Sequence, residues 1–235
     1  MTIPSGSRVT SDRGVRAETT RSSRLWAGVA AVEVLAATAV VLLDLLIPSL
    51  VLLAMAAVSV AVRRRGPASL GLLRVPAWPL VPRMFAFAVG WTFVQLAVTM
   101  PVANHLSGTH QDLSGFADVE GDLALLALFV VLSWTLAAFV EELAFRGYLL
   151  TRMREAFGAG RVAAVLAVAA SSFLFGILHS EQGLIGVLVV SLDAVAFSVL
   201  RYRCRTVWAA VLAHGFNNTI GFVALFLVGP VYGLW

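Results

Sequence analysis

Long apolar segments recur along the whole chain and limit the folds open to it. They lie at residues 25–43, 46–62, 85–103, 123–150, 162–178, 184–200 and 207–228. Helices of roughly 17–25 apolar residues cross the hydrocarbon core of a bilayer. The composition agrees, since 60% of the residues are hydrophobic, 13% are charged and the mean hydropathy is +0.90. We predict an all-α, polytopic integral membrane bundle of about seven transmembrane helices, or eight if one segment is broken.

The basic residues predict the orientation of this bundle. All 17 are arginines. If the spans alternate from a cytoplasmic N-terminus, every arginine group lies on or near one side, as the positive-inside rule requires. The opposite loop, residues 104–122, has four acidic residues and no arginine. We therefore expect a cytoplasmic N-terminus and an external C-terminus in a bacterial cell membrane.

The chain divides into three parts by composition. Residues 1–24 are polar and arginine-rich, and we predict a disordered cytoplasmic tail there. Residues 25–120 hold the N-terminal membrane helices and loops, and residues 121–230 form a membrane core with polar motifs. The single cysteine, Cys204, excludes an intramolecular disulfide. No basic patch is interleaved with aromatic residues, so we expect membrane lipids and a membrane-associated substrate as partners, and no nucleic acid.

Three polar clusters interrupt the apolar segments. A carboxylate at bilayer depth costs several kcal/mol on insertion scales, so such groups indicate function. In each cluster two polar or aromatic residues are spaced four apart, which places them on one face of a helix. The clusters are Glu141 and Glu142 with Arg146, Phe175 with His179, and His214 with Asn218.

In this order and on separate spans, the three clusters resemble the CPBP family of intramembrane proteases. That family includes the type II CAAX prenyl endopeptidases and bacterial relatives linked to bacteriocin processing and immunity. The resemblance extends over about residues 123–228. It implies Glu141 as the catalytic glutamate, His179 as its partner, His214 and Asn218 as the third-motif pair, and Glu142 and Arg146 as supporting residues.

The chemistry of these residue types agrees with peptide hydrolysis, which needs a base to activate water and donors to stabilise an oxyanion. We expect Glu141 and His179 to activate water, and His214 and Asn218 to polarise the scissile carbonyl. The expected substrate is a membrane-associated peptide, lipidated or CAAX-like. Bacteria generally lack prenylated proteins, which favours a substrate other than a true CAAX protein.

A metal-dependent mechanism stays open beside the glutamate-dependent one. Catalytic zinc commonly takes three protein ligands and a water. Glu141, His179 and His214 supply such a set, although the compact arrangement of two histidines and a glutamate on one helix is absent. The family itself is labelled metalloprotease and is also argued to be metal-free.

Two further functions use the same residue types. Buried glutamate, arginine and histidine build proton relays, so a proton- or ion-coupled membrane carrier is one alternative. A non-catalytic immunity or scaffold protein is the other.

Simple counting along the helices keeps the motif residues apart. At about 1.5 Å per residue, Glu141 lies about 28 Å from Asp122, and His179 lies about 27 Å from Arg161, toward opposite membrane faces. For them to meet, we expect the glutamate helix to begin outside the bilayer and to continue to Leu150. We also expect the fifth span to bend at Ser171–Ser172 or Gly176, with His179, Glu181 and Gln182 in a watery cavity.

Overall fold

Seven apolar helices make up the computed structural model, which describes residues 9–72 and 78–235 and, of residues 9–22, the backbone alone. The described residues contain no β-strand, which confirms the all-α class. Short 3₁₀ turns lie at Pro67–Leu70, Ser114–Val119 and Ser180–Gln182. The helices are α1 (Val9–Leu42), α2 (Pro48–Val62), α3 (Leu80–Ser107), α4 (Leu123–Phe157), α5 (Arg161–Ile177), α6 (Gly183–Cys204) and α7 (Val207–Val228).

Five of these helices are long and apolar enough to cross a membrane, namely α1, α3, α4, α6 and α7. The other two are apolar but shorter, with 15 residues in α2 and 17 in α5. An integral membrane protein follows from the five long helices, because only apolar helices of that length bury their backbone groups in lipid. The count of seven or eight spans stays a prediction.

The first helix begins inside the segment predicted as the N-terminal tail. Helix α1 begins at Val9 and so overlaps most of the predicted tail, residues 1–24. Residues 1–8 and 73–77 lie outside the described residues, and Arg74 is among them. The division into tail, N-terminal helices and core stays a prediction.

The largest buried cluster is centred on the C-terminal half of α4. Phe145, Tyr148, Leu149 and Met153 are at most 2% exposed and pack among residues of α1, α2, α5 and α6. Many large apolar side chains of the other helices face outward instead, as lipid-facing helices require. The helix that carries Glu141 is therefore the central element of the bundle.

A buried ionic cluster joins α1, α2 and α4 at one end of the molecule. Arg63 contacts Glu33 and Glu155, each at 3.0 Å, and Arg152 contacts Glu155 at 2.6 Å. The hydroxyl of Ser59 donates to Glu33 at 2.9 Å. Because Arg63 and Arg152 are almost fully buried, these contacts compensate charges that would otherwise be costly in the interior.

The lengths of α4 and α5 explain how Glu141 and His179 come to lie at a similar depth in the membrane. At 35 residues, α4 is about 52 Å long, well beyond a hydrocarbon core of about 30 Å, and Glu141 lies near its midpoint. It continues past Leu150 to Phe157. The fifth span does not break at either predicted place, Ser171–Ser172 or Gly176, because α5 is a continuous helix from Arg161 to Ile177. The chain turns only after Ile177, so His179 lies at the end of a short helix.

Two glycines explain the tight turn from α5 back into α6. At Gly183 the backbone φ of 75° is in the left-handed region, where glycine is favoured. At Gly176 a Cβ atom would come within 2.6 Å of the carbonyl oxygen of Val187, so only glycine allows the two helices to approach this closely. The α5–α6 hairpin thereby places His179 and the residues after it beside α4.

The segment of residues 108–122, called here the covering segment, packs over one end of the bundle. The amide of Gln111 donates to the side-chain oxygen of Gln182 at 2.7 Å, and the backbone N–H of Asp112 donates to the carbonyl of Gln182 at 2.9 Å. Phe116 packs edge-on against Phe129 and Phe222, with ring centroids 5.6 and 5.5 Å apart. Hydrogen bonds from Ser114 lower the pKa of Asp112, which lies outside the membrane-spanning helices.

Candidate active site

A cavity of about 520 Å³ lies between α3, α4, α6 and α7 and the covering segment. Its lining includes all four residues predicted to be catalytic, namely Glu141, His179, His214 and Asn218. The structure thus brings together residues of α4, of the turn after α5, and of α7. These residues are up to 77 positions apart in the sequence.

Glu141 reaches the cavity from an irregular part of α4. Residues Ser133–Glu141 and Leu143–Leu149 are π-helical, so the side chains do not follow the ordinary α-helical rotation. Such segments occur frequently at functional sites. The Oε2 atom of Glu141 is buried and has no hydrogen-bond partner among the described residues. A buried carboxylate oxygen of this kind, on a cavity wall, is available to a water molecule or a substrate.

His179 follows the end of α5 by two residues and is oriented by a contact to that helix. Its Nδ1 lies 3.0 Å from the carbonyl oxygen of Phe175, one turn earlier in α5. Because a carbonyl oxygen only accepts hydrogen bonds, Nδ1 carries the proton. In the neutral ring Nε2 is then an acceptor. This explains the spacing of the second cluster, since Phe175 supplies both the carbonyl and an aromatic ring 5.1 Å from the imidazole.

His214 is held by the second glutamate of the first cluster. Its Nδ1 lies 2.9 Å from Oε1 of Glu142, and the same oxygen lies 3.0 Å from the guanidinium of Arg146. Glu142 is 0% exposed and Arg146 is 1% exposed, so the predicted buried pair exists and has a third member. The ring of Phe197 stacks on the imidazole of His214, with ring centroids 5.2 Å apart and an angle of 20° between the ring planes. These contacts fix both the position and the tautomer of His214.

Helix α7 presents the polar residues of the third cluster to the cavity. It packs closely on α4 at Gly215, where a Cβ atom would come within 2.7 Å of the ring of Trp134. The indole of Trp134 donates to Thr219 at 3.1 Å. Asn218 lines the cavity on the following turn, and so does its neighbour Asn217, whose side-chain oxygen accepts from Thr92 at 2.9 Å.

Asp193 is a cavity residue that the sequence reasoning did not single out. It lies in α6, is 9% exposed and accepts hydrogen bonds from Trp91 and Gln95, both at 2.5 Å and both to Oδ1. The available signal was the one that identified Glu141, namely a carboxylate within an otherwise apolar span. Asp193 lacks a motif partner four residues away, since Phe197 occupies that position.

Among the described residues, no group of three histidine, cysteine, aspartate or glutamate side chains is placed to hold one metal ion. In the proposed set of Glu141, His179 and His214, both histidines use Nδ1 for protein contacts, which leaves Nε2 of each ring available. The three side chains are not grouped as one ion would require, and no step of the proposed reaction depends on a metal. The zinc prediction itself stays untested.

The family model described as type II CAAX prenyl endopeptidase Rce1-like matches residues 123–220. The matched range contains all three polar clusters and somewhat less than half of the chain. Residues 123–220 match this family of proteases, which confirms the resemblance to CPBP proteins. No curated protein and no solved structure matches the chain.

Proposed function

We propose that this protein is an intramembrane endopeptidase that hydrolyses a peptide bond of a membrane-associated substrate with water activated by Glu141. The main support is the convergence of Glu141, His179, His214 and Asn218 on one cavity, within the part of the chain that matches a protease family. The individual roles below are proposals for these residues.

Glu141 and His179 activate the water molecule. In this arrangement a water molecule donates one hydrogen bond to the unpartnered oxygen of Glu141 and the other to Nε2 of His179. Both groups accept, so together they fix the two protons of water and point its lone pair at the substrate. Glu141 then takes the proton as general base when the water oxygen attacks the carbonyl carbon, and gives it to the amine nitrogen when the C–N bond of the tetrahedral intermediate breaks.

His214 and Asn218 polarise the carbonyl group of the scissile peptide bond. Oε1 of Glu142, paired with Arg146, accepts the Nδ1 proton of His214. For Nε2 of His214 to donate to the oxyanion as well, both ring nitrogens have to carry a proton. The amide of Asn218 provides the second donor. Preorganised donors of this kind stabilise a developing oxyanion without reorganisation.

The remaining cavity wall suits an apolar or lipid-bearing substrate. Phe116, Phe129 and Phe222 form an aromatic cluster at the end beneath the covering segment, and Leu132 and Leu136 extend it along α4. The surrounding helices expose many large apolar side chains. A peptide tethered to the bilayer therefore reaches the polar residues from a membrane environment.

The test compares the protein with its Glu141→Gln variant in the native host, by identifying the new N-terminal and C-terminal peptide ends in the membrane fraction. Ends that disappear in the variant at equal protein level establish Glu141-dependent proteolysis and identify substrates. Glu120→Gln, which removes an exposed carboxylate outside the cavity, is the matched control and should leave the ends in place.

An unchanged set of peptide ends in a folded Glu141→Gln protein would contradict the proposal. The carrier alternative is favoured by one observation, the second buried carboxylate, Asp193, in the same cavity. Proton-driven flux in liposomes that contain the Glu141→Gln protein would support that alternative instead.

A further inference from the structure

Carboxylates line the cavity on several sides. Glu141 comes from α4, Glu181 from the turn after α5, and Asp193 from α6. Among the described residues, the lining includes no arginine, and its basic side chains are His179 and His214; the sequence contains no lysine. Clefts in which carboxylates outnumber basic groups favour positively charged ligands, because low-dielectric walls concentrate the electric field.

The nearby arginine does not reverse that charge. Arg146 is 1% exposed, pairs with Glu142 and is absent from the cavity lining. Its guanidinium lies 4.2 Å from the ring centroid of Phe175 and 5.8 Å from that of Phe197. Both rings belong to the cavity wall, so aromatic groups stand between the arginine and the space where a substrate binds.

Asp193 has the geometry of a fixed recognition group. Trp91 and Gln95, both on α3, donate to the same oxygen, Oδ1, at 2.5 Å. These two bonds fix the rotation of the carboxyl group. Oδ2 has no hydrogen bond from any described residue, and Asp193 forms no ion pair among them. A carboxylate at membrane depth without a cationic partner indicates a function for that charge.

Asp193 also lies beside the proposed catalytic residues. Phe197, one turn further along α6, stacks on His214 with ring centroids 5.2 Å apart. Asp193 is therefore about 6 Å along the helix axis from the residue that supports His214. Asp193, His214 and Asn218 line the same cavity, so a group bound at Asp193 shares that cavity with a peptide bond held by His214 and Asn218.

We propose that Asp193 recognises a basic side chain of the substrate, lysine or arginine, close to the cleaved bond. The inference rests on the proposed endopeptidase function.

Peptide-binding measurements test the recognition of a basic side chain by Asp193 without requiring cleavage. The Glu141→Gln protein in nanodiscs is titrated with fluorescent N-palmitoylated, C-amidated peptides that differ only in a central lysine, norleucine or glutamate. The lysine peptide should bind about tenfold more tightly than the norleucine peptide, and the glutamate peptide most weakly. Adding Asp193→Asn should bring the lysine-to-norleucine ratio close to one. Asparagine has nearly the same shape, and its side-chain oxygen still accepts from Trp91 and Gln95.

The control is Asp118→Asn, which removes an exposed carboxylate outside the cavity and should leave the ratio as it was. A ratio that persists in Asp193→Asn, or equal weakening of all three peptides, overturns the proposal. If Asp193→Asn does not fold, the order of the three peptides on the Glu141→Gln protein still decides, because equal affinities contradict an anionic recognition site.

Cleavage of the same peptides separates this inference from the function on which it rests. Cleavage by the unmodified protein without a charge preference would support the protease and refute the role of Asp193. An Asp193-dependent binding preference without any cleavage would support the cationic site and refute the protease.

Discussion

Glu142 shows how far the chemistry of a single residue depends on its neighbours. The spacing to Arg146 predicts a buried ion pair on one helix, and the 3.0 Å contact confirms it. The third member, His214, lies 72 positions away and contacts the same oxygen at 2.9 Å. The glutamate therefore has two tasks, to compensate a buried arginine and to orient a histidine, and the sequence spacing indicates only the first.

Glu142→Gln should destabilise the protein strongly, because the charge of Arg146 then stays buried without a counter-ion. Removing one partner of a buried pair costs about 3–5 kcal/mol. Thermal unfolding in detergent measures the change. Arg65→Gln is the control, since it breaks a pair whose arginine is 51% exposed and should cost at most about 1 kcal/mol. Equal losses in the two variants would contradict the assigned burial.

Asn218→Ala should lower kcat about 100-fold with little change in KM, because an oxyanion donor acts in the transition state more than in the bound substrate. Peptide cleavage kinetics measure it. Asn217→Ala, next to it on α7, removes an amide whose oxygen is already bonded to Thr92 and should lower kcat far less. If both variants lose activity equally, Asn218 is not the specific donor.

At the scale of the helices, close approach of backbones shapes the site. Helices α5 and α6 touch at Gly176, and α4 and α7 touch at Gly215. Small residues at such crossings are typical of membrane bundles, in which association depends on packing and not on the removal of apolar surface from water. These two contacts place His179 and the third motif beside Glu141.

Gly176→Ala should separate α5 from α6, because the new Cβ atom would meet the backbone carbonyl of Val187 at 2.6 Å and the hydroxyl of Ser191. Overpacking of this kind costs about 1–3 kcal/mol. A lowered unfolding midpoint in detergent is the expected result. Gly90→Ala is matched to it, since it lies within α3 with nothing near its Cβ position, and should be neutral or slightly stabilising. A loss as large at Gly90 would show that the effect is not one of packing.

For the whole molecule, the positions of the arginines predict the orientation in the membrane. The acidic covering segment and the arginine-rich ends of α4 and α6 lie on opposite sides if the spans alternate. The cavity beneath the covering segment then opens toward the external half of the bilayer.

Single cysteines test that orientation in a Cys204→Ser protein. Asp118→Cys, in the exposed covering segment, should react with a membrane-impermeant maleimide in intact cells. Arg203→Cys, at the exposed end of α6, should react only after permeabilisation. The parent without cysteine shows the background, and the reverse labelling pattern would invert the predicted topology.

The sequence by itself determined the helical membrane class, the approximate helix positions and the three motifs. These are local properties, since hydropathy acts over one span and a spacing of four acts over one turn. Only the tertiary structure decided how the motifs meet. The π-helical part of α4 sets the direction of Glu141, the turn that follows the unbroken α5 positions His179, and the packing of α3 on α6 fixes Asp193. Each depends on which helices are neighbours, and residue contacts between distant segments leave no local pattern in the sequence.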